Sequence, residues 1–108
     1  DLKNDGHDTG VAFADKWLAG KFGPLLADPR FTKDLLFVVT FDEDEHFFLR
    51  PSSNRVVTVA VGDAVRPGST SNAPYTHYNL LRLVEDALGT GTLGREDANA
   101  AAITGIWR

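Results

Sequence analysis

Residues 35–41, LLFVVTF, form an unbroken apolar run rich in β-branched and aromatic side chains. A strand with one face in water alternates polar and apolar residues. A run without alternation is expected of a central strand covered on both faces. Such a strand needs strands on both sides and helices above and below. The remaining pattern is short of that. A helix is expected from Val11, where Val11, Ala14, Leu18 and Phe22 step by three and four, with Thr9 as candidate N-cap and Gly23–Pro24 as an interruption. Residues 55–65, RVVTVAVGDAV, read as a second strand, and residues 75–89, YTHYNLLRLVEDALG, as a helix. In that helix Leu80, Leu81, Val84, Ala87 and Leu88 form one stripe, and Gly89 is a suitable C-cap. The tail is expected to be loop with a short helix within 96–103. Helix, strand, strand, helix is an α/β order. Two strands and two helices cannot enclose one central strand, so residues 1–108 are expected to be the C-terminal part of a larger α/β domain.

Composition narrows the function classes. A formal net charge of −4 gives no basic face for nucleic acid. With no cysteine, a metal would need oxygen and nitrogen ligands. No apolar run approaches the roughly 18 residues of a membrane span.

The apolar run ends on Asp42, Glu43, Asp44 and Glu45, followed by His46. Adjacent like charges are costly unless water or a cation compensates them. In open α/β sheets ligands bind beyond the carboxyl ends of the strands, where Asp42 and Glu43 would stand. The acids are therefore either a solvated turn or oxygen ligands for a divalent cation. His7, in NDGHDTG before the first helix, either contacts an anion or moves a proton. The alternative is that its loop only caps the helix. His77, in the first turn of the last helix, falls on the apolar side of that helix. It is either a packed histidine or a ligand-contacting group. His46 is read as the start of the next packed segment. The acidic run is not an EF-hand, because its sixth position from Asp42 is Phe47 instead of glycine. GTGTLG at 89–94 follows a helix and lacks the lysine of a phosphate-binding loop.

Taken together, NDGHDTGVAFADKWL, LLFVVTFDEDE and YTHYNLLRLVEDALGTGTLGREDANA resemble, in order and spacing, the C-terminal portion of the phosphoesterase family. That family includes secreted fungal acid phosphatases and phospholipases C, within the alkaline-phosphatase-like superfamily. The resemblance implies an α/β/α sandwich with a central, mostly parallel sheet, and a metal-dependent phosphoric ester hydrolase. It implies Asp42 and Glu43 as ligands of a divalent metal ion, His7 near the transferred phosphoryl group, Asp8 beside it at the substrate, and His77 in or beside the active site. Asp44 and Glu45 then stand solvated or behind the ligands. The family's nucleophilic Ser or Thr and a further Glu–Asn ligand pair are expected upstream of Asp1. Ser52, Ser53, Ser69 and Ser71 lie in loops that match no such motif. The isolated chain is thus expected to be inactive, with the remainder of the polypeptide or a complementary chain as partner, a phosphate ester as substrate and secretion as destination. The alternative is a non-catalytic processed fragment, or a small acidic cation-binding module, serving binding or structure.

Overall fold

The computed structural model describes residues 3–44 and 54–108, which divide into two compact units, 1–36 and 37–108. Glu45, His46, Ser52 and Ser53 lie outside the described residues.

In the first unit, helix α1 (Val11–Leu26) is followed by a single turn, α2 (Pro29–Thr32). The expected interruption at Gly23–Pro24 does not occur: α1 runs on to Leu26. Pro24 forfeits only the one bond that its own N–H would have given to the Gly20 carbonyl, and Gly23 has no Cβ to clash with the proline ring. The N-cap is Gly10, with no side-chain cap. Thr9, expected there, gives its hydroxyl to the Asp5 carbonyl instead. Asp28 caps α2 by accepting from the Arg30 N–H at 2.9 Å, and Arg30 also binds both Asp28 oxygens. Trp17 and Phe22 pack edge to face with ring centroids 6.2 Å apart.

The second unit holds strands β1 (Leu36–Thr40, whose first residue falls at the unit boundary) and β2 (Thr58–Gly62), paired antiparallel. The Thr40 and Thr58 hydroxyls meet at 2.7 Å, so the end of β1 lies opposite the start of β2. β1 is half-buried along its whole length. A single neighbouring strand does not give it the cover that its apolar sequence anticipates.

Helix α3 (His77–Leu88) ends on Gly89 in the left-handed conformation, φ 64°. Gly suits that site because it has no Cβ. The expected stripe is only partly inward: Leu80 is half-buried, whereas Leu81, Val84 and Leu88 are exposed. The buried positions of α3 are polar, Asn79 and Glu85. Asn79 accepts from the Thr76 N–H (2.6 Å) and hydroxyl (3.0 Å), and donates to the Ala101 carbonyl (2.8 Å). One side chain therefore joins the start of α3 to the tail. The tail contains the short helix α4 (Glu96–Asn99) and returns along residues 64–66 through an antiparallel bridge between Val65 and Trp107. The Trp107 indole N–H donates to the Ile103 carbonyl.

Among the described residues, Val65 is the only buried apolar side chain. Val57, Val59 and Val61 are exposed, at 65, 49 and 47% of their area. An open cleft of about 1060 Å³ runs past Val38, Val56, Leu80 and Leu83. A stable domain seldom leaves so much apolar surface unpaired.

Candidate functional site

In the first unit a loop built on Asp5 presents His7 and Asp8. One Asp5 oxygen accepts from the N–H groups of His7 (3.1 Å) and Asp8 (2.8 Å), a turn typical of short acidic side chains. The His7 ring Nδ1 lies 3.3 Å from an Asp8 carboxylate oxygen, and both side chains are largely exposed. An imidazole beside a carboxylate is oriented by it.

In the second unit the acidic segment follows β1 directly. Asp42 is exposed and Glu43 half-buried, and an Asp42 oxygen accepts from the Glu43 N–H at 3.1 Å. No lysine or arginine among the described residues lies within ion-pair distance of either carboxylate. Their charge is left for solvent or a cation.

His77 and this segment meet, although 36 residues separate the contacting positions: His77 Nε2 lies 2.8 Å from the carbonyl of Phe41, the residue before Asp42. A carbonyl only accepts, so Nε2 carries the proton, and Nδ1 is the acceptor in the neutral ring. His77 is exposed. It is not a packed core histidine, and it lines the open cleft with Leu80 and Leu83 of α3. Its position in the first turn lets the ring reach across to the strand end. The structure thus joins His77 to the Asp42–Glu43 segment and His7 to Asp8.

Three polar residues escaped the sequence analysis. Asn54 binds the backbone of the acidic segment on both sides of Glu43, donating to the Asp42 carbonyl (3.1 Å) and accepting from the Asp44 N–H (2.7 Å). Glu85 and Asp97 are 6% and 1% exposed and face each other between α3 and α4. Burial, then the Asp97 charge and a hydrogen bond to Asp97, raise the Glu85 carboxyl above the usual glutamate range. Burial alone would raise Asp97 too. The N–H groups of Leu93 (2.6 Å) and Arg95 (3.0 Å), with those of Asp97 and Ala98, outweigh it and hold Asp97 below the usual aspartate range. Glu85 Oε2 faces no hydrogen-bond donor. A polar position inside an otherwise apolar helix stripe was the available signal for Glu85; for Asn54, it was an asparagine at a loop turn.

A cation fits only part of this arrangement. Two adjacent carboxylates with no basic partner are a hard-oxygen donor set. No group of three or more His, Asp or Glu side chains able to hold a metal occurs among the described residues.

The sequence model of the phosphoesterase family matches residues 1–90. An acid phosphatase of Aspergillus fumigatus is 35% identical over 102 residues, covering 92% of this chain and 22% of its own length. The phosphate-repressible acid phosphatase of Penicillium chrysogenum is 36% identical, covering 92% and 24%. An acid phosphatase of Aspergillus niger is 35% identical with the same two coverages, 92% and 24%. The chain therefore spans about a quarter of the length of these relatives. No solved structure matches it. With an α/β order, an acid pair after an apolar strand and a histidine tied to that strand's end, the chain belongs to the phosphoesterase family.

Proposed function

We propose that residues 1–108 form the C-terminal part of a metal-dependent phosphoric ester hydrolase of the acid phosphatase kind, and contribute part of its active site. The observation that carries this reading is the His77–Phe41 hydrogen bond, which gathers a histidine and two unpaired carboxylates at one strand end. In a phosphoesterase chain whose relatives are named acid phosphatases, that is where such a site is expected. The half-covered β1 and the exposed Val57, Val59 and Val61 support a larger sandwich with a central, mostly parallel sheet, to which β1 and β2 would add an antiparallel edge. The remainder of the same polypeptide would cover these faces and bring the nucleophilic hydroxyl and the other ligands.

Asp42 and Glu43 would hold a divalent cation, which when bound neutralises charge on the phosphoryl oxygens and lowers the pKa of a hydroxyl nucleophile. His77 is tied through Nε2 to the Phe41 carbonyl, which leaves Nδ1 as the acceptor of the neutral ring. His7, oriented by Asp8, is suited to hold a proton for the leaving oxygen or to contact the phosphoryl group. Asp8 fixes the ring and stands at the substrate. No helix among the described residues is long and apolar enough to cross a membrane, and secretion is proposed from the family alone.

The test is p-nitrophenyl phosphate turnover by the intact natural polypeptide containing these residues, with and without a chelator. Turnover that a chelator removes and a divalent metal restores supports the reading. Chelator-insensitive turnover, or equal turnover by residues 1–108 alone, would refute it.

A further inference from the structure

The two carboxylates at the end of β1 are not on a free loop. Phe41, Asp42, Glu43 and Asp44 are held from both sides by side chains distant in sequence. His77 takes the Phe41 carbonyl. Asn54 takes both backbone groups that flank Glu43, the Asp42 carbonyl through Nδ2 and the Asp44 N–H through Oδ1. These two bonds also fix the orientation of the Asn54 amide, since a carbonyl needs the NH2 and an N–H needs the oxygen. Asn54 itself lies at φ 47°, a left-handed conformation that asparagine tolerates better than most residues. Backbone and side-chain requirements therefore converge on one residue type.

We infer that Asn54 is a positioning residue for Asp42 and Glu43, fixing the backbone so that both carboxylates are presented together before any cation arrives. The inference rests on the reading of those two residues as metal ligands. Adjacent carboxylates repel each other, and a free segment would let them separate. Tying the segment during folding moves the ordering cost out of the binding step. Groups that orient metal ligands from behind are worth about 10- to 100-fold in metal affinity.

The experiment uses the intact natural polypeptide, stripped of metal and titrated with Mn²⁺ alone, with free Mn²⁺ read by electron paramagnetic resonance. Asp42→Asn is the reference and should lose most Mn²⁺ affinity; unchanged affinity there sinks the ligand reading itself. Asn54→Gly keeps the left-handed backbone but removes both bonds, and should weaken Mn²⁺ binding about 10- to 100-fold, with faster hydrogen exchange at the Asp44 amide. Asn54→Asp decides the matter where the glycine variant does not fold. It retains an acceptor for Asp44, loses the donor to Asp42, and adds negative charge near the carboxylates. Added charge alone would tighten cation binding, so weaker binding by this variant marks lost positioning. If Asp42→Asn loses affinity while Asn54→Gly or Asn54→Asp binds Mn²⁺ at least as tightly as the natural protein, the ligand reading stands and the positioning role is overturned.

Discussion

Asp42 and Glu43 stand at the open end of β1 with no lysine or arginine among the described residues within ion-pair distance, whereas Glu85 and Asp97, in the same unit, are buried and face each other. In the buried pair, desolvation and the neighbouring carboxylate raise the Glu85 carboxyl above the usual glutamate range, and backbone N–H groups hold Asp97 below the usual aspartate range. At the end of β1 the protein's hydrogen bonds go mostly to the backbone, through His77 and Asn54, and the carboxylate oxygens keep their accepting capacity. Two acids side by side therefore indicate function only where the fold restrains the chain without neutralising the charge. Where burial and backbone donors hold the pair, it serves the fold.

The strongest challenge to this comparison is Asp42→Asn in the intact polypeptide. We expect phosphatase turnover to be abolished while the far-UV circular dichroism is unchanged, because among the described residues the only bond to that carboxylate comes from the adjacent N–H. Near-natural turnover would put the exposed pair in the same structural class as the buried one. His77→Ala should cost at least about tenfold in turnover, below the roughly 10²–10⁴-fold range of a well-placed proton-transfer group. Unchanged turnover would reduce the His77–Phe41 bond to a structural tie.

For Asn79→Ala the expectation is a stability loss of about 1–3 kcal/mol, seen as a lower denaturation midpoint, because the buried Asn79 side chain gives up its bonds to Thr76 and Ala101. A loss confined to turnover would contradict its placement in the tail linkage.

The smallest effect is expected from Glu85→Gln, and it concerns pH. A carboxyl whose pKa is raised on folding stabilises the protein below the usual glutamate range, and that stabilisation is lost as pH rises through the raised value. Asp97, lowered on folding, acts in the opposite direction: its stabilisation is present above the usual aspartate range and lost as pH falls through the lowered value. Glutamine keeps a donor toward Asp97 and cannot ionise. The variant should flatten the fall in thermal midpoint on the alkaline side and leave the acid side as it was. An unaltered alkaline slope would mean that Glu85 is already ionised.

Much of this was legible in the sequence, for identifiable reasons. Period and composition located both strands and both long helices, since an apolar β-branched run and a three-four stripe are strong local signals. Gly89 closed α3 as expected because a left-handed cap is a one-residue requirement. The end of α1 was misread because Pro24 costs a single backbone bond and the preceding Gly23 sets no Cβ against the ring, so the helix continues to Leu26. Periodicity also overstated the α3 stripe: Leu81, Val84 and Leu88 are exposed here, and a three-four repeat says which residues share a face, not what covers it. Asn54 and the Glu85–Asp97 pair were invisible, since each depends on partners that only the folded chain brings within reach. His77 was legible as a residue of interest. Its tie to Phe41, across 36 positions, was not.

The chain's two tryptophans are divided between its units, Trp17 on α1 and Trp107 where the tail returns beside Val65. Replacing Trp17 with phenylalanine would leave a single tryptophan in residues 1–108, its indole N–H held by the Ile103 carbonyl. Emission from that variant would report release of the returning tail without any attached dye, and independently of events around α1.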